Sequence, residues 1–265
     1  MPELKPTTGA LNGRLWGARA RDWAEIQEGQ ARPAYEAILE RTGVNKDVSY
    51  LDVGCGSGMA AQMAAARGAR ISGIDAAEGL LSIARERVPT GTFHLGDLEA
   101  LPFEAGAFDV VTGFNSFQYA ANPTVALVEA RRVARPGGTV AIMTWGLPQG
   151  MEAAAMIGVL RTLLPPPPPG APGPFALSEE DVLRRFAEGA GLKPTTVFDV
   201  DATMQYADEA AALRGFKSAG VAVRAMEHSG EQAVTEAHAK ALEAFQQADG
   251  SYRIKASYRC LLATA

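Results

Sequence analysis

Short apolar runs alternate with stretches of helical periodicity between residues 44 and 145. Runs of four to eight apolar or β-branched residues next to Gly, Asp or Asn predict strands, whereas apolar residues three and four positions apart predict amphipathic helices. This alternation predicts parallel strands joined by right-handed crossovers, in a sheet that helices cover on both faces. Strands are expected at residues 48–53, 70–75, 92–95, 108–112 and 138–145, and helices at residues 59–68, 79–88 and 123–134.

The two ends of the chain have different patterns. Residues 1–43 carry apolar side chains at helical spacing, and Gly29 and Pro33 divide the segment into two predicted helices. We interpret this segment as an N-terminal helical cap. Two alternating stretches near the other end, at residues 191–206 and 250–264, predict the strands that complete the sheet.

Two insertions separate these strands from the core. The first, residues 146–190, is expected to hold a helix over 150–164, a proline-rich loop at 165–174 and a helix whose N-cap is Ser178. The second, residues 207–249, is expected to form a helical lid. Its two helices are predicted over residues 208–227 and 231–248.

Composition and charge exclude several classes of protein. The 25 basic and 30 acidic residues give a net charge of −5, which argues against binding to a nucleic-acid backbone. Cys55 and Cys260 are too few for a disulfide framework or a zinc cluster. No stretch suits a secretory signal or a membrane span. We therefore expect a single cytoplasmic domain over residues 1–265, a monomer or homodimer without membrane or nucleic-acid partners.

A glycine-rich turn follows the first predicted strand. Gly54, Gly56 and Gly58 lie between this strand and a helix, where glycine permits a tight turn and a close approach of the backbone to a ligand. A dinucleotide fingerprint would need glycine at position 59, where the chain has Met59, and the Lys-Ser/Thr of a P-loop is absent. For Gly58 alone, packing of the helix is an equally good explanation.

Three acidic residues accompany the turn at the carboxyl ends of the first three strands. Asp52 precedes Gly54, and Asp75 lies 19 positions after Gly56, where an acid can accept hydrogen bonds from both hydroxyls of a ribose. Asp97 follows the third strand and is placed beside an adenine. Three carboxylates suit a cationic nucleoside with a sulfonium and an α-amino group better than a pyrophosphate. For Asp52, capping of backbone amides is the alternative.

Five motifs give the sequence a resemblance to class I S-adenosylmethionine-dependent methyltransferases of the ubiquinone-biosynthesis-like, small-molecule type. The resemblance extends over residues 44–145 and involves the order and the spacing of the motifs. It implies a Rossmann-like, doubly wound α/β fold with a mostly parallel seven-stranded sheet, an antiparallel last strand and helical lid segments. The motifs are LDVGCGSG (51–58), GID (73–75), GDLEALPF (96–103), FDVV (108–111) and RPGG (135–138).

The resemblance also implies a cofactor, S-adenosylmethionine, which leaves as S-adenosylhomocysteine, and no metal. The backbone of residues 54–56 would hold its methionine part and Asp75 its ribose. Ala76 would contact a face of the adenine, and Asp97 would contact its edge with the Leu98 backbone. The backbone of Gly113 and Phe114 would take the amino group. The implied cofactor-binding residues are Asp52, Gly54, Cys55, Gly56, Asp75, Ala76, Asp97, Leu98, Gly113 and Phe114. Cys55 is interpreted as a small residue that fits the turn.

The segment after the fourth strand bears on the chemistry of transfer. Transfer from a sulfonium is an in-line displacement, which needs a general base only when the acceptor has a high pKa. Related enzymes often carry a histidine in this segment, whereas this chain has Gln118 and Tyr119. A glutamine cannot act as a base, but it can orient an acceptor through hydrogen bonds. Gln118 is therefore the candidate catalytic residue.

The three histidines are not expected to take part in catalysis. His94 is predicted to have a surface or edge role, and His228 and His238 are predicted to be solvated on the C-terminal helices. Their spacing shows no metal-binding pattern.

Aromatic residues in the flanking segments suggest an acceptor pocket. Since ligands bind at the carboxyl ends of strands in open α/β sheets, the cap and the two insertions are expected to close over that edge. The candidates for substrate binding are Trp23, Tyr35, Gln118, Tyr119 and Trp145. Packing of the N-terminal helices onto the core is the alternative for Trp16 and Trp23.

These inferences predict methyl transfer to O, N or C of a small, apolar or aromatic metabolite. Two alternatives remain: a protein that binds the cofactor without transferring methyl, and a nicotinamide oxidoreductase, which Met59 disfavours.

Overall fold

The computed structural model describes residues 8–166 and 173–265, which form a seven-stranded sheet with helices on both faces. Residues 1–7 and most of the predicted proline-rich loop lie outside these ranges. The strands are β1 (Ser49–Val53), β2 (Arg70–Asp75), β3 (Thr92–Leu95), β4 (Phe108–Phe114), β5 (Ala134–Trp145), β6 (Lys193–Tyr206) and β7 (Tyr252–Thr264).

The order of the strands across the sheet is β3-β2-β1-β4-β5-β7-β6. Neighbours among β1 to β5 pair in parallel, and β7 runs antiparallel to both β5 and β6. The predicted doubly wound sheet with an antiparallel last strand is thereby confirmed. The order reverses between β1 and β4, and the carboxyl ends of strands at such a point form a crevice that suits a ligand.

Helices cover both faces of the sheet and its carboxyl edge. The α-helices are α1 (Gly9–Gly17), α2 (Ala20–Asp22), α3 (Arg32–Arg41), α4 (Met59–Ala65), α5 (Glu78–Arg87), α6 (Pro123–Val133), α7 (Ala153–Gly158), α8 (Glu180–Gly189), α9 (Glu209–Ser218), α10 (Gly220–Ser229) and α11 (Glu231–Leu242). A π-helical turn spans Trp23–Gln27, and 3-10 turns span Glu28–Ala31, Phe117–Tyr119, Val159–Thr162 and Glu243–Phe245.

Side chains of the central strand β1 alternate between the two faces of the sheet. Tyr50 belongs to one buried apolar cluster, and Leu51 and Val53 belong to the other. Because side chains two residues apart share a face of a strand, Asp52 lies on the same face as Tyr50. The carboxyl group of Asp52 therefore lies on this face, near the end of the central strand.

The helical lid differs from its prediction. The single helix expected over residues 208–227 is two helices, because Ala219 has an extended backbone with ψ of 137°. Gly220 begins α10 against Trp16, and a Cβ at position 220 would lie 2.7 Å from two atoms of that indole. The glycine lets α10 approach the cap more closely than any other residue would allow.

Three smaller predictions are also wrong. Ser178 is not the N-cap of α8, which is Glu179; the Ser178 hydroxyl instead donates to the Trp145 carbonyl at 2.8 Å. His238 is not solvated but 1% exposed, because α11 turns it inward against the ring of Phe216. The N-terminal segment is predicted as two helices divided at Gly29 and Pro33, but its described part holds three α-helices, and Pro33 lies in the first turn of α3, where its missing N–H costs nothing.

The cap, the first insertion and the lid contact one another directly. Ion pairs join α1 and the following segment to the lid, and the Ser229 hydroxyl donates to the Leu163 carbonyl of the first insertion at 2.8 Å. These contacts join the lid to both the cap and the first insertion. The ion pairs are Arg14–Glu227, Arg19–Glu231 and Arg214–Asp22.

Candidate functional site

The glycine-rich turn between β1 and α4 has a backbone that requires glycine. Gly54, Gly56 and Gly58 have φ values of +75°, +55° and +81°, in the left-handed region that side chains disfavour. A Cβ at position 54 would lie 2.4 Å from the Cβ of Ser116. The backbone conformation of the turn therefore depends on these glycines, and the turn packs closely against the segment that follows β4.

Asp75, at the end of β2, stabilises the glycine-rich turn through hydrogen bonds. Its carboxylate accepts hydrogen bonds from the backbone N–H groups of Gly56 and Ala77, each at 2.9 Å. Burial raises the pKa of Asp75, and these two hydrogen bonds oppose the rise. The side chain remains partly exposed, so its free lone pairs can accept hydrogen bonds from hydroxyl groups in the crevice.

Asp52 is buried beneath the same turn. Its Oδ1 accepts a hydrogen bond of 3.0 Å from the Thr112 hydroxyl, whose oxygen lies 2.7 Å from the Tyr50 hydroxyl. Its partner is thus a hydroxyl rather than the backbone amides of the alternative interpretation. Burial raises the pKa of Asp52 to about 8, and the nearby carboxylates of Glu28 and Asp75 contribute to the rise.

The third acidic residue, Asp97, holds the N-terminal helix. It accepts hydrogen bonds from the backbone N–H groups of Gly9 at 3.1 Å and Glu99 at 2.9 Å. Helix α1 crosses directly over the residue after Asp75, since a Cβ at Gly13 would lie 2.1 Å from the Ala76 carbonyl oxygen. The described structure thus has α1 closed over the side of the crevice where the resemblance places adenine.

The segment after β4 presents the predicted polar residues. Asn115 has a φ of +52°, which asparagine tolerates better than most residues, and its Oδ1 accepts a hydrogen bond of 3.0 Å from Gln118 Nε2. The Oε1 of Gln118 stays available as an acceptor. A Cβ at Gly113 would lie 2.2 Å from the ring of Phe117, so the glycine lets this ring pack on β4.

The predicted aromatic residues fall into two groups. In the first, the Trp16 ring makes edge contacts with Trp23 at 5.0 Å and with Tyr119 at 5.3 Å between ring centroids. The second group lies at the ends of β4 and β5 and includes Phe114 and Trp145. Trp23 thus does not contact Tyr35 or Trp145 through a ring pair, although all three were assigned to one acceptor pocket.

The second group consists of two ring pairs. Tyr35 of α3 packs edge-on against Phe114 at 4.6 Å, and Trp145 stacks on Tyr258 at 5.1 Å. Sequence reasoning missed Tyr258, since a strand-alternation pattern does not reveal which aromatic residue of β7 lies opposite Trp145 in the register.

Sequence reasoning also missed Glu28 and Arg87. The Glu28 side chain, from a residue that is only 4% exposed, accepts hydrogen bonds from the Ser57 hydroxyl at 2.6 Å and from the Met59 N–H at 3.3 Å. Arg87 forms an ion pair with it. The two residues are 59 positions apart, and no local pattern marks them as partners.

The residues of the turn fit S-adenosylmethionine by the chemistry of their groups. The Asp75 carboxylate suits the two hydroxyl donors of a ribose, and the glycine backbone leaves room that side chains would fill. The carboxylates of Asp75 and Asp97 provide negative charge for a ligand with a sulfonium and an ammonium group, and such a ligand would favour the ionised form of Asp52.

Comparison with known proteins agrees with this geometry. Residues 51–142 match a family described as a methyltransferase domain. The malonyl-[acyl-carrier protein] O-methyltransferase of Erwinia pyrifoliae is 29% identical over 211 residues, which cover 77% of this chain and 74% of that protein.

Solved structures share the fold at low sequence identity. The [4+2]-cyclase SpnF superposes with a TM-score of 0.62 at 19% identity, over 98% of this chain and 97% of that one. An S-adenosylmethionine-dependent methyltransferase from Aquifex aeolicus gives a TM-score of 0.52 at 19% identity, over 69% and 92% of the two chains. The methyltransferase domain and the named relatives agree with the class I S-adenosylmethionine-dependent methyltransferase that the sequence predicts. None of the helices in the described ranges has the length and apolar character needed to cross a membrane.

The raised pKa of Asp52 predicts opposite effects on stability and cofactor binding. The unfolded chain loses this proton near the ordinary value of 3.8, whereas the folded chain keeps it to about 8. Wild-type stability should therefore fall by several kcal/mol as the pH rises through this window, and Asp52→Asn should remove that fall. The same variant should bind the cationic cofactor less tightly. Urea unfolding of both proteins across the window tests the first effect; parallel pH profiles would contradict it.

Proposed function

We propose that the protein transfers the methyl group of S-adenosylmethionine to an oxygen, nitrogen or carbon atom of a small, apolar or aromatic metabolite. The observation that carries this proposal is the pair of aromatic contacts at the ends of β4 and β5, Tyr35–Phe114 and Trp145–Tyr258. These rings lie at the edge of the sheet where Asp75 and the glycine turn assemble. Apolar rings beside a few polar groups are typical of pockets for small ligands.

The cofactor supplies an activated methyl group, and the chain supplies orientation. Asp75 accepts hydrogen bonds from the ribose, the turn at Gly54 and Gly56 holds the methionine part, and Asp97 and the Leu98 backbone contact the adenine beside Ala76. Gly113 and Phe114 offer backbone to the amino group. Alignment of the acceptor behind the methyl carbon contributes several kcal/mol to such displacements.

The polar group placed to orient the acceptor is Gln118. Because its Nε2 is bound to Asn115, the side chain is fixed, and its Oε1 can accept a hydrogen bond from a hydroxyl or amine. Among the described residues, the segment after β4 carries no histidine, and His238 packs on Phe216 within the lid. This arrangement favours an acceptor that loses its proton without a strong base.

The charges of the cap and lid favour an uncharged acceptor. The Erwinia relative is named for a malonyl group on a carrier protein, and such a substrate presents a carboxylate. The arginines that join the cap to the lid are already paired with carboxylates. These pairs are Arg14–Glu227, Arg19–Glu231 and Arg214–Asp22.

Labelled cofactor tests the proposed reaction. The purified protein is incubated with S-adenosylmethionine carrying an isotopic methyl group and with a metabolite extract, and products are followed by mass spectrometry. The expected result is a small apolar or aromatic product that contains the label. Label found only in a carrier protein would contradict the substrate class, and substrate conversion without label would indicate that the cofactor is not a methyl donor.

Trp145→Ala should reduce turnover with little effect on cofactor binding. Loss of the ring that stacks on Tyr258 enlarges the proposed acceptor pocket, so misalignment should lower kcat by about 10- to 100-fold. Trp145→Phe keeps an aromatic ring and serves as the control, with a smaller loss. Calorimetry with S-adenosylhomocysteine measures the cofactor affinity. A loss of that affinity with unchanged kcat would contradict the placement of Trp145.

A further inference from the structure

We propose that Trp23 and Glu28, supported by Arg87, form a subsite for the zwitterionic amino-acid end of the cofactor. The inference rests on S-adenosylmethionine as the cofactor, and it assigns Trp23 a role different from that of an acceptor-pocket residue. It follows from a π-helical turn in the cap, from the surroundings of Gly56 and from the hydrogen bonds of Glu28.

The π-helical turn Trp23–Gln27 places two side chains on the same side. The backbone N–H of Glu28 donates to the Trp23 carbonyl, five residues earlier. The wider turn brings residues five positions apart closer to the same side than an α-helix does, where they would point about 140° apart. The wider turn is therefore what directs both Trp23 and Glu28 toward the glycine-rich turn.

Both side chains meet at Gly56. A Cβ built at this position would have only two atoms within 4 Å among the described residues. These are Glu28 Oε1 at 3.4 Å and Trp23 Nε1 at 3.6 Å. One is a hydrogen-bond acceptor and the other is a donor, and both face the open side of a glycine that the cofactor's methionine part is expected to contact.

Arg87 fixes these two groups. Its guanidinium pairs with the Glu28 carboxylate and donates to the Ala24 carbonyl at 2.7 Å and the Ser57 carbonyl at 2.9 Å. It thereby ties the residue after Trp23 to the residue after Gly56. Arg87 is a positioning residue in this arrangement, since it acts through Glu28 and the cap.

The hydrogen bonds of Glu28 leave one oxygen available. Oε2 receives the Ser57 hydroxyl at 2.6 Å and the Arg87 guanidinium. Among the described residues, Oε1 receives only the Met59 N–H, at 3.3 Å, which is long for such a bond. Oε1 can therefore accept a hydrogen bond from an ammonium group, and the indole N–H of Trp23 can donate to a carboxylate. These are the two groups of an α-amino acid.

Two ligands that differ only at this end test the subsite. S-Adenosylhomocysteine carries the amino acid, and 5′-methylthioadenosine has the same nucleoside and thioether without it. Calorimetry with Trp23→Phe and Glu28→Gln should show a several-fold or larger loss of affinity for S-adenosylhomocysteine and less than a two-fold change for 5′-methylthioadenosine. Glu25→Gln, an exposed change in the same π-helical turn, is the matched control and should leave the ratio of affinities unchanged.

The outcomes separate this inference from the cofactor assignment. Equal losses for both ligands, or no loss in either variant, would overturn the subsite, because a purely structural role does not distinguish the two ligands. Trp23→Phe removes no charge, so it decides the question if Glu28→Gln fails to fold. Failure of the wild-type protein to bind S-adenosylhomocysteine would overturn the cofactor assignment and the subsite together.

Discussion

Replacing Asp75 with alanine will weaken the binding of S-adenosylmethionine and S-adenosylhomocysteine by about 100-fold. Each hydrogen bond to a charged group is worth about 1.5–3 kcal/mol, and the variant removes the acceptor of both ribose hydroxyls. It also releases the N–H groups of Gly56 and Ala77, which the carboxylate holds at 2.9 Å. The variant therefore removes hydrogen bonds from the turn and from the cofactor together.

Calorimetry with S-adenosylhomocysteine measures this loss directly. Asp75→Asn retains one oxygen that can hold Gly56 or Ala77, so its affinity should fall between those of wild type and the alanine variant. Glu78→Gln, an exposed change in the first turn of α5, is the control and should bind normally. An affinity of Asp75→Ala within a factor of two of wild type would exclude Asp75 as a cofactor ligand.

Arg87→Met will lower the free energy of unfolding by about 3–5 kcal/mol. The substitution leaves the carboxylate of Glu28 buried without its cation, at 5% side-chain exposure. It also removes donors from the Ala24 and Ser57 carbonyls, which are 2.7 and 2.9 Å from the guanidinium. The cost is that of an uncompensated buried charge together with unsatisfied carbonyl groups.

A double-mutant cycle distinguishes this ion pair from simple packing. Glu28→Gln in combination with Arg87→Met removes the unpaired charge, so the double variant should lose clearly less than the sum of the two single losses. Arg85→Met is the control, because its pair with Glu78 is exposed, at 41% and 59% of the two side chains, and should cost less than about 1 kcal/mol. Additive losses measured by urea unfolding would contradict a coupled pair.

The sheet could be predicted because its signals are local. Each of β1 to β5 is a short apolar run next to a turn, and the helices between them carry their own periodicity. The antiparallel β7 came from the family resemblance. By contrast, the break at Ala219 lies within a predicted helix, and Gly220 beside it packs against Trp16, which is far earlier in the chain. Helical periodicity cannot register such a contact.

Some residues of the candidate site could be predicted from local signals, and others could not. Asp52, Asp75 and Asp97 were predicted at one edge of the sheet because parallel strands bring their carboxyl ends together. Glu28 could not be predicted, since its placement depends on a π-helical turn and on an arginine 59 positions away. His238 was misjudged because the amphipathic pattern of α11 did not show which of its faces meets Phe216.

The contacts of the N-terminal cap also determine when the site can form. Gly9 binds Asp97, 88 positions later, and Arg14 pairs with Glu227, 213 positions later. Contacts of such separation form only after most of the chain is available, and they are slow steps in folding. A chain that emerges from the ribosome therefore builds the parallel sheet and the glycine turn first. The cap, which precedes the sheet in the chain, docks among the last segments, so the cofactor site is completed only after the sheet has formed.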